Sequence, residues 1–111
     1  WSAFYCQIGK TVFYRGTFTI GSTTTKGSVL VVSLPVNSRY SDNVWTYAPA
    51  YLDCAGTRYV GNIRNNGNSG ITIQAIGTAS TYANVASITA TVPATWATGD
   101  IFSFIITYEA A

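Results

Sequence analysis

The sequence predicts an all-β domain, an antiparallel β-sandwich or jelly roll, on three observations. Apolar and polar residues alternate at period two along several segments, as half-buried strands require. Turn signals built from Gly, Asn, Asp and Pro recur at short, even spacing between those segments. No segment carries the periodicity of an amphipathic helix.

The strands follow in order. Phe4, Cys6 and Ile8 share one face of a first strand, and Gly9-Lys10 makes a two-residue hairpin turn. In 11–20, Val12, Tyr14, Phe18 and Ile20 face one way, while Thr11, Arg15, Thr17 and Thr19 face the other with Phe13. A polar loop, 21–27, leads to a short apolar strand over 29–34 that Pro35 ends. The longest irregular stretch is 36–49. Two strands, 50–55 and 57–64, flank Gly56. Asn65-Asn66-Gly67-Asn68-Ser69-Gly70 is a turn, because Asn and Gly tolerate positive φ. Strands are predicted at 71–76, with Ile71, Ile73 and Ala75 on one face, and at 86–92, with Ile88, Ala90 and Val92 together. After the Thr98-Gly99-Asp100 turn, the last strand spans 101–108. Ile101 and Ile105 lie on one face of it, and Phe102, Phe104, Ile106 and Tyr108 on the other. A strand apolar on both faces is expected to be buried on both. A two-layer fold covers only one of them, and a second copy of the chain would cover the other.

Composition narrows the function. The 111 residues fit one domain, 1–111, and a start at Trp1 rather than Met suggests a module cut from a longer chain. Six basic and four acidic residues are far below the usual quarter of a chain, while 48% of residues are hydrophobic. That composition argues against disorder. A net charge of +2 with scattered basic residues gives no footprint for nucleic acid. No apolar stretch is long enough for a membrane-spanning helix, so no membrane insertion is expected.

The chain has no His, which excludes Ser-His-Asp and Cys-His catalysis. Of the four carboxylates, Asp100 is suited to capping its turn, Glu109 reads as a solvated residue near the terminus, and Asp53 could pair with Arg58. Asp42, in the long loop, is the most suggestive for glycoside chemistry, which needs two carboxylates. The expectation is a binding protein, not an enzyme. Cys6 and Cys54 without His make no zinc site, and no metal or cofactor is expected. The two cysteines could form a disulfide or remain buried thiols.

Phe4-Tyr5-Cys6-Gln7-Ile8-Gly9-Lys10-Thr11-Val12-Phe13-Tyr14-Arg15-Gly16 resembles the opening of C-terminal domains of bacteriophage tail fibres and minor tail proteins, which often begin with Trp and an aromatic-Cys-x-x-Gly-x-x-Val hairpin. Leu34-Pro35 is similar to their step after the third strand. Pro93-Ala94-Thr95-Trp96-Ala97-Thr98-Gly99-Asp100 and the closing Thr107-Tyr108-Glu109-Ala110-Ala111 resemble C-termini found in phages of actinobacteria. The resemblance covers both ends of the chain and leaves 36–84 unmatched. It implies a homotrimeric β-sandwich in the virion tail, extracellular, binding a bacterial surface glycan or other host receptor.

The loop holding Arg39, Tyr40, Asp42, Asn43, Trp45 and Tyr47 has the composition of a saccharide site. Sugars offer apolar C–H faces to aromatic rings and polar edges to charged and amide groups. Packing of Trp45 and Tyr47 beneath the loop is the competing reading. Asn65, Asn66 and Asn68 form a second candidate, competing with a plain turn. Phe13, Phe102, Phe104 and Ile106 are the expected oligomer interface. Two rival functions fit the same residues: a lectin-like carbohydrate-binding module of a secreted protein, and a purely structural virion domain for trimerisation or decoration.

Overall fold

The computed structural model describes the chain except residues 25, 26, 28, 43–45 and 78–80, and only the backbone of Thr46 and Ala48. Eight strands form one antiparallel sheet, and no helix occurs among the described residues. The first hairpin pairs β1 (Ser2–Ile8) with β2 (Thr11–Thr19) across Gly9-Lys10, in the predicted place, with Ile8 opposite Thr11. A second hairpin joins β4 (Thr46–Cys54) to β5 (Thr57–Asn66) through Ala55-Gly56. Both turn residues have positive φ, 54° and 76°, the mirror-image turn whose twist matches the flanking strands. The Asn- and Gly-rich turn then leads to β6 (Gly70–Gly77).

The spatial order is β1-β2-β8-β4-β5-β6-β3, where β3 is Val31–Ser33 and β8 is Ile101–Glu109. The free side of β6 carries β3 at one end and β7 (Asn84–Ser87) at the other. The sheet curls into a half-barrel. All strands belong to this one curled sheet, where the sequence reading expected two facing layers. Across the opening, the Tyr14 hydroxyl donates to the Ser33 carbonyl at 3.3 Å. The seam therefore lies between β2 and β3, and β1 projects beyond it.

The concave face is the core. Val12, Leu52, Ile63, Ile71 and Ile73 are fully enclosed there. A loop, 88–100, closes one end. Its Trp96 is buried edge-on against Phe102, and its indole N–H donates to the Val92 carbonyl at 3.0 Å. The Asp100 carboxylate caps this loop as predicted, accepting from the Ala97 N–H at 2.7 Å and from the Ala55 N–H at 3.3 Å.

Three expectations are corrected. Phe102, Phe104 and Ile106 are 3%, 5% and 2% exposed within a single chain, so they are core residues and not an oligomer interface. The curl turns their face of β8 inward, where Phe18 stacks on Phe102 at 5.2 Å and Tyr14 meets Phe104 at 5.1 Å. The last strand is not buried on both faces, because Ile105 is 68% exposed on the convex side. The strand expected at 86–92 is instead β7, ending at Ser87, followed by a tight turn bridged between Thr89 and Val92. Neither cysteine forms a disulfide: Cys6 is exposed on β1, and Cys54 is enclosed in the core.

Candidate functional site

The end of the half-barrel opposite Trp96 is covered by the loop that follows β3, and the C-terminal end of β8 anchors it. Ser38 and Ala110 form a bridge, the Arg39 N–H donates to the Glu109 carbonyl at 2.9 Å, and the Ala111 N–H donates to the Asn37 carbonyl at 2.9 Å. The β5–β6 turn adds a further anchor, since the Ser38 N–H donates to the Asn68 carbonyl at 2.7 Å. These bonds satisfy backbone groups that a buried loop would otherwise leave unpaired.

Buried Ser38 organises the rings above it. Its hydroxyl accepts from the Tyr40 N–H at 3.1 Å and shares a hydrogen bond with the Tyr47 hydroxyl, also at 3.1 Å. Tyr47 lies against Tyr108, ring centroids 6.0 Å apart. The Tyr108 hydroxyl donates to the Val36 carbonyl at 2.8 Å. Burial pushes the Tyr108 phenol above its ordinary pKa, and the Val36 bond partly offsets this. The ring is thus held neutral and fixed as a floor.

The charged part of the site is at the rim. Arg39 and Glu109 form a salt bridge of 2.8 Å, and the Tyr40 hydroxyl donates to the second Glu109 oxygen at 3.4 Å. The hydrogen bond from Arg39 holds the Glu109 carboxyl below its ordinary pKa, against a smaller opposing effect of burial. The same bond raises Arg39. Thr11, Tyr40, Tyr47, Thr107, Tyr108 and Glu109 line an open depression of about 420 Å³. Aromatic faces, two threonine hydroxyls and an ion-paired carboxylate therefore converge on one shallow dish.

Of the residues predicted from the loop, the structure brings Arg39, Tyr40 and Tyr47 together. Asp42 is exposed and does not line the dish; its carbonyl accepts a hydrogen bond from the Asn65 amide. Asn43 and Trp45 lie outside the described residues. Asn65 is fully buried and supports the loop from below, which fits a structural role in the turn. Glu109, Thr11 and Thr107 belong to the dish and were not anticipated. Their proximity depends on the pairing of Thr11 with Glu109 across β2 and β8, which joins opposite ends of the chain.

No known protein family, curated protein or solved structure matches this chain. Its site must be read from its own residues.

A second surface lies on the convex face of the sheet. Phe4, Phe13, Tyr51, Val60 and Ile105 are all exposed there, and the Arg15 guanidinium sits 5.3 Å from the centroid of the Phe4 ring. The pairing of β1, β2, β8, β4 and β5 makes these residues neighbours across the sheet. An open depression of about 550 Å³ runs over this face between Phe4 and Val60. Phe13, the one expected interface residue left outside the core, lies on this convex face, outside that depression.

Proposed function

We propose that this chain is a receptor-binding module of a phage tail fibre or minor tail protein, which adheres to a bacterial surface through saccharides and does no catalysis. The supporting observation is the dish: half-buried Tyr40 and Tyr47, fixed by Ser38, beside the Arg39–Glu109 pair. A sugar ring would stack on the tyrosines, the Glu109 carboxylate would accept from its hydroxyls, and Arg39 would donate to its oxygens. Such a site is shallow and weak alone. Several copies on one virion would act together through effective concentration. In this reading the half-barrel is an opened form of the jelly-roll architecture expected of such tips.

The test is decoration of actinobacterial cells by a fluorescent fusion, alongside calorimetric titration with their solubilised cell-wall glycan. Tyr40→Ala and Tyr47→Ala should each weaken glycan binding by roughly 3- to 10-fold, the worth of one stacked ring. Tyr47→Phe, which keeps the ring and loses the bond to Ser38, should weaken it less. Undiminished binding by both alanine variants would remove the dish from the mechanism.

A second reading, a structural virion domain, draws on the apolar convex face. It predicts self-association without any decoration of cells, so the same fusion distinguishes the two.

A further inference from the structure

We infer that β1 is a docking edge for a second copy of this chain, pairing antiparallel with the partner's β1 about a two-fold axis centred on Cys6. This is independent of the saccharide reading, since the dish lies at the loop-covered end of the sheet.

β1 is exposed on both faces along its whole length. Phe4, Tyr5 and Ile8 are 61%, 57% and 68% accessible, and among the described residues only β2 pairs with the strand. Monomeric proteins protect such edges with charges, prolines, bulges or covering loops. Ser2–Ile8 contains no charge and no proline, and its register with β2 runs without a bulge from Ser2↔Thr17 to Ile8↔Thr11. Among the described residues, the strand's outer edge is thus a straight, unprotected row of backbone donors and acceptors.

The edge also fits itself. Antiparallel pairing centred on Cys6 sets Cys6 opposite Cys6 of the second copy. It places Phe4 opposite Ile8 and Tyr5 opposite Gln7, so apolar meets apolar on the convex face and polar-tipped side chains meet on the other. The alternative edge, made of β3 and β7, has three and four residues and matches the seven-residue β1 poorly. Like pairing with like gives a closed two-fold contact.

Overall dimensions point the same way. The accessible surface is 6407 Å², against roughly 5,950 Å² for a folded monomer of 11.9 kDa. The radius of gyration is 14.0 Å, against about 13 Å for this length. A two-fold contact over the seven-residue β1 would cover part of this surplus.

The experiment is sedimentation of the chain under reducing conditions from about 1 µM to about 1 mM, a span that covers weak contacts. The mass should rise from one chain to two. Phe4→Glu, a charge placed on an already exposed position and directly opposite Arg15, should hold the mass at one chain with little change in melting temperature. A copper–phenanthroline oxidant should then trap the pair. Two Cys6 thiols would lose two protons, with their two electrons passing to the oxidant, because opposed Cα atoms in an antiparallel pair are about 4.5–5.5 Å apart, within disulfide range. Cys6→Ser should abolish this cross-link and keep the reversible pair; Cys54→Ser should keep both. A single-chain mass throughout, a three-chain plateau, a pair that survives Phe4→Glu, or a cross-link that survives Cys6→Ser would each overturn the assignment. None of these results bears on glycan binding by the dish.

Discussion

Gly16 shows how closely the core is fitted. A Cβ built there would lie 2.9 Å from the Phe104 ring and 2.9 Å from the Trp1 ring. Trp1 is 58% exposed and can move, but Phe104 is held in the core by Tyr14. Gly16→Ala should therefore destabilise the fold by about 1–3 kcal/mol, the usual cost of overpacking. Chemical denaturation would measure the loss, and unchanged stability would mean that Phe104 has room to yield. Glu109 supplies a prediction of a different kind. Its carboxyl is held below the ordinary range by Arg39, so the folded chain binds that proton less tightly than the unfolded chain. The stabilisation is complete above the unfolded carboxylate pKa and is lost as pH falls through the folded value. Wild type should melt above Glu109→Gln at neutral pH, and the gap should close as pH falls below the ordinary carboxylate range and through the lowered folded value. The gap should be small, since water screens this exposed pair. A difference that persists in acid would assign the effect to something other than the carboxylate charge.

At the scale of elements, the sequence was readable wherever a signal is local. The β1–β2 hairpin was visible because its alternation and its Gly9-Lys10 turn lie within one short segment. The Asn-rich turn before β6 was visible for the same reason. Sheet partners were not. β8 was recognised as a strand, but its neighbour β2 lies near the other end of the chain. Without that pairing, the face carrying Phe102, Phe104 and Ile106 could not be told from the face carrying Ile105, and the surplus apolar surface was assigned to the wrong one. The segment after β7 misled in another way. Ile88, Ala90 and Val92 alternate like a strand, yet only the Ile88 N–H extends the β7–β6 pairing, bonding the Ile73 carbonyl at 3.1 Å. The chain then turns so that Trp96 can reach the core and Val92 can accept its N–H. The site divided along the same line. Tyr40 and Tyr47 were found by loop composition, whereas Glu109 looked like a terminal residue until β8 brought it beside Arg39.

For the whole molecule, the topology separates a cooperative body from an appendage. β8 sits between β2 and β4, with partners on both sides, and its inner residues contact both ring clusters of the core. Breaking it would open the half-barrel, so its amides should exchange only through global unfolding. β1 has one neighbour and no buried side chain, although Trp1 before it packs on Phe18, Phe102 and Phe104. Local opening free energies follow such differences in burial and pairing. Hydrogen exchange read by mass spectrometry should therefore show β1 exchanging at least about tenfold faster than β8 in dilute solution, a gap of about 1.4 kcal/mol or more in opening free energy. Raising the concentration should slow β1 while leaving β8 unchanged, because pairing with a second copy would tie down the one strand that the body does not hold. Equal protection of β1 and β8 in the dilute chain would make the hairpin part of the cooperative core. The free edge would then be a rigid rim and not a separately opening arm.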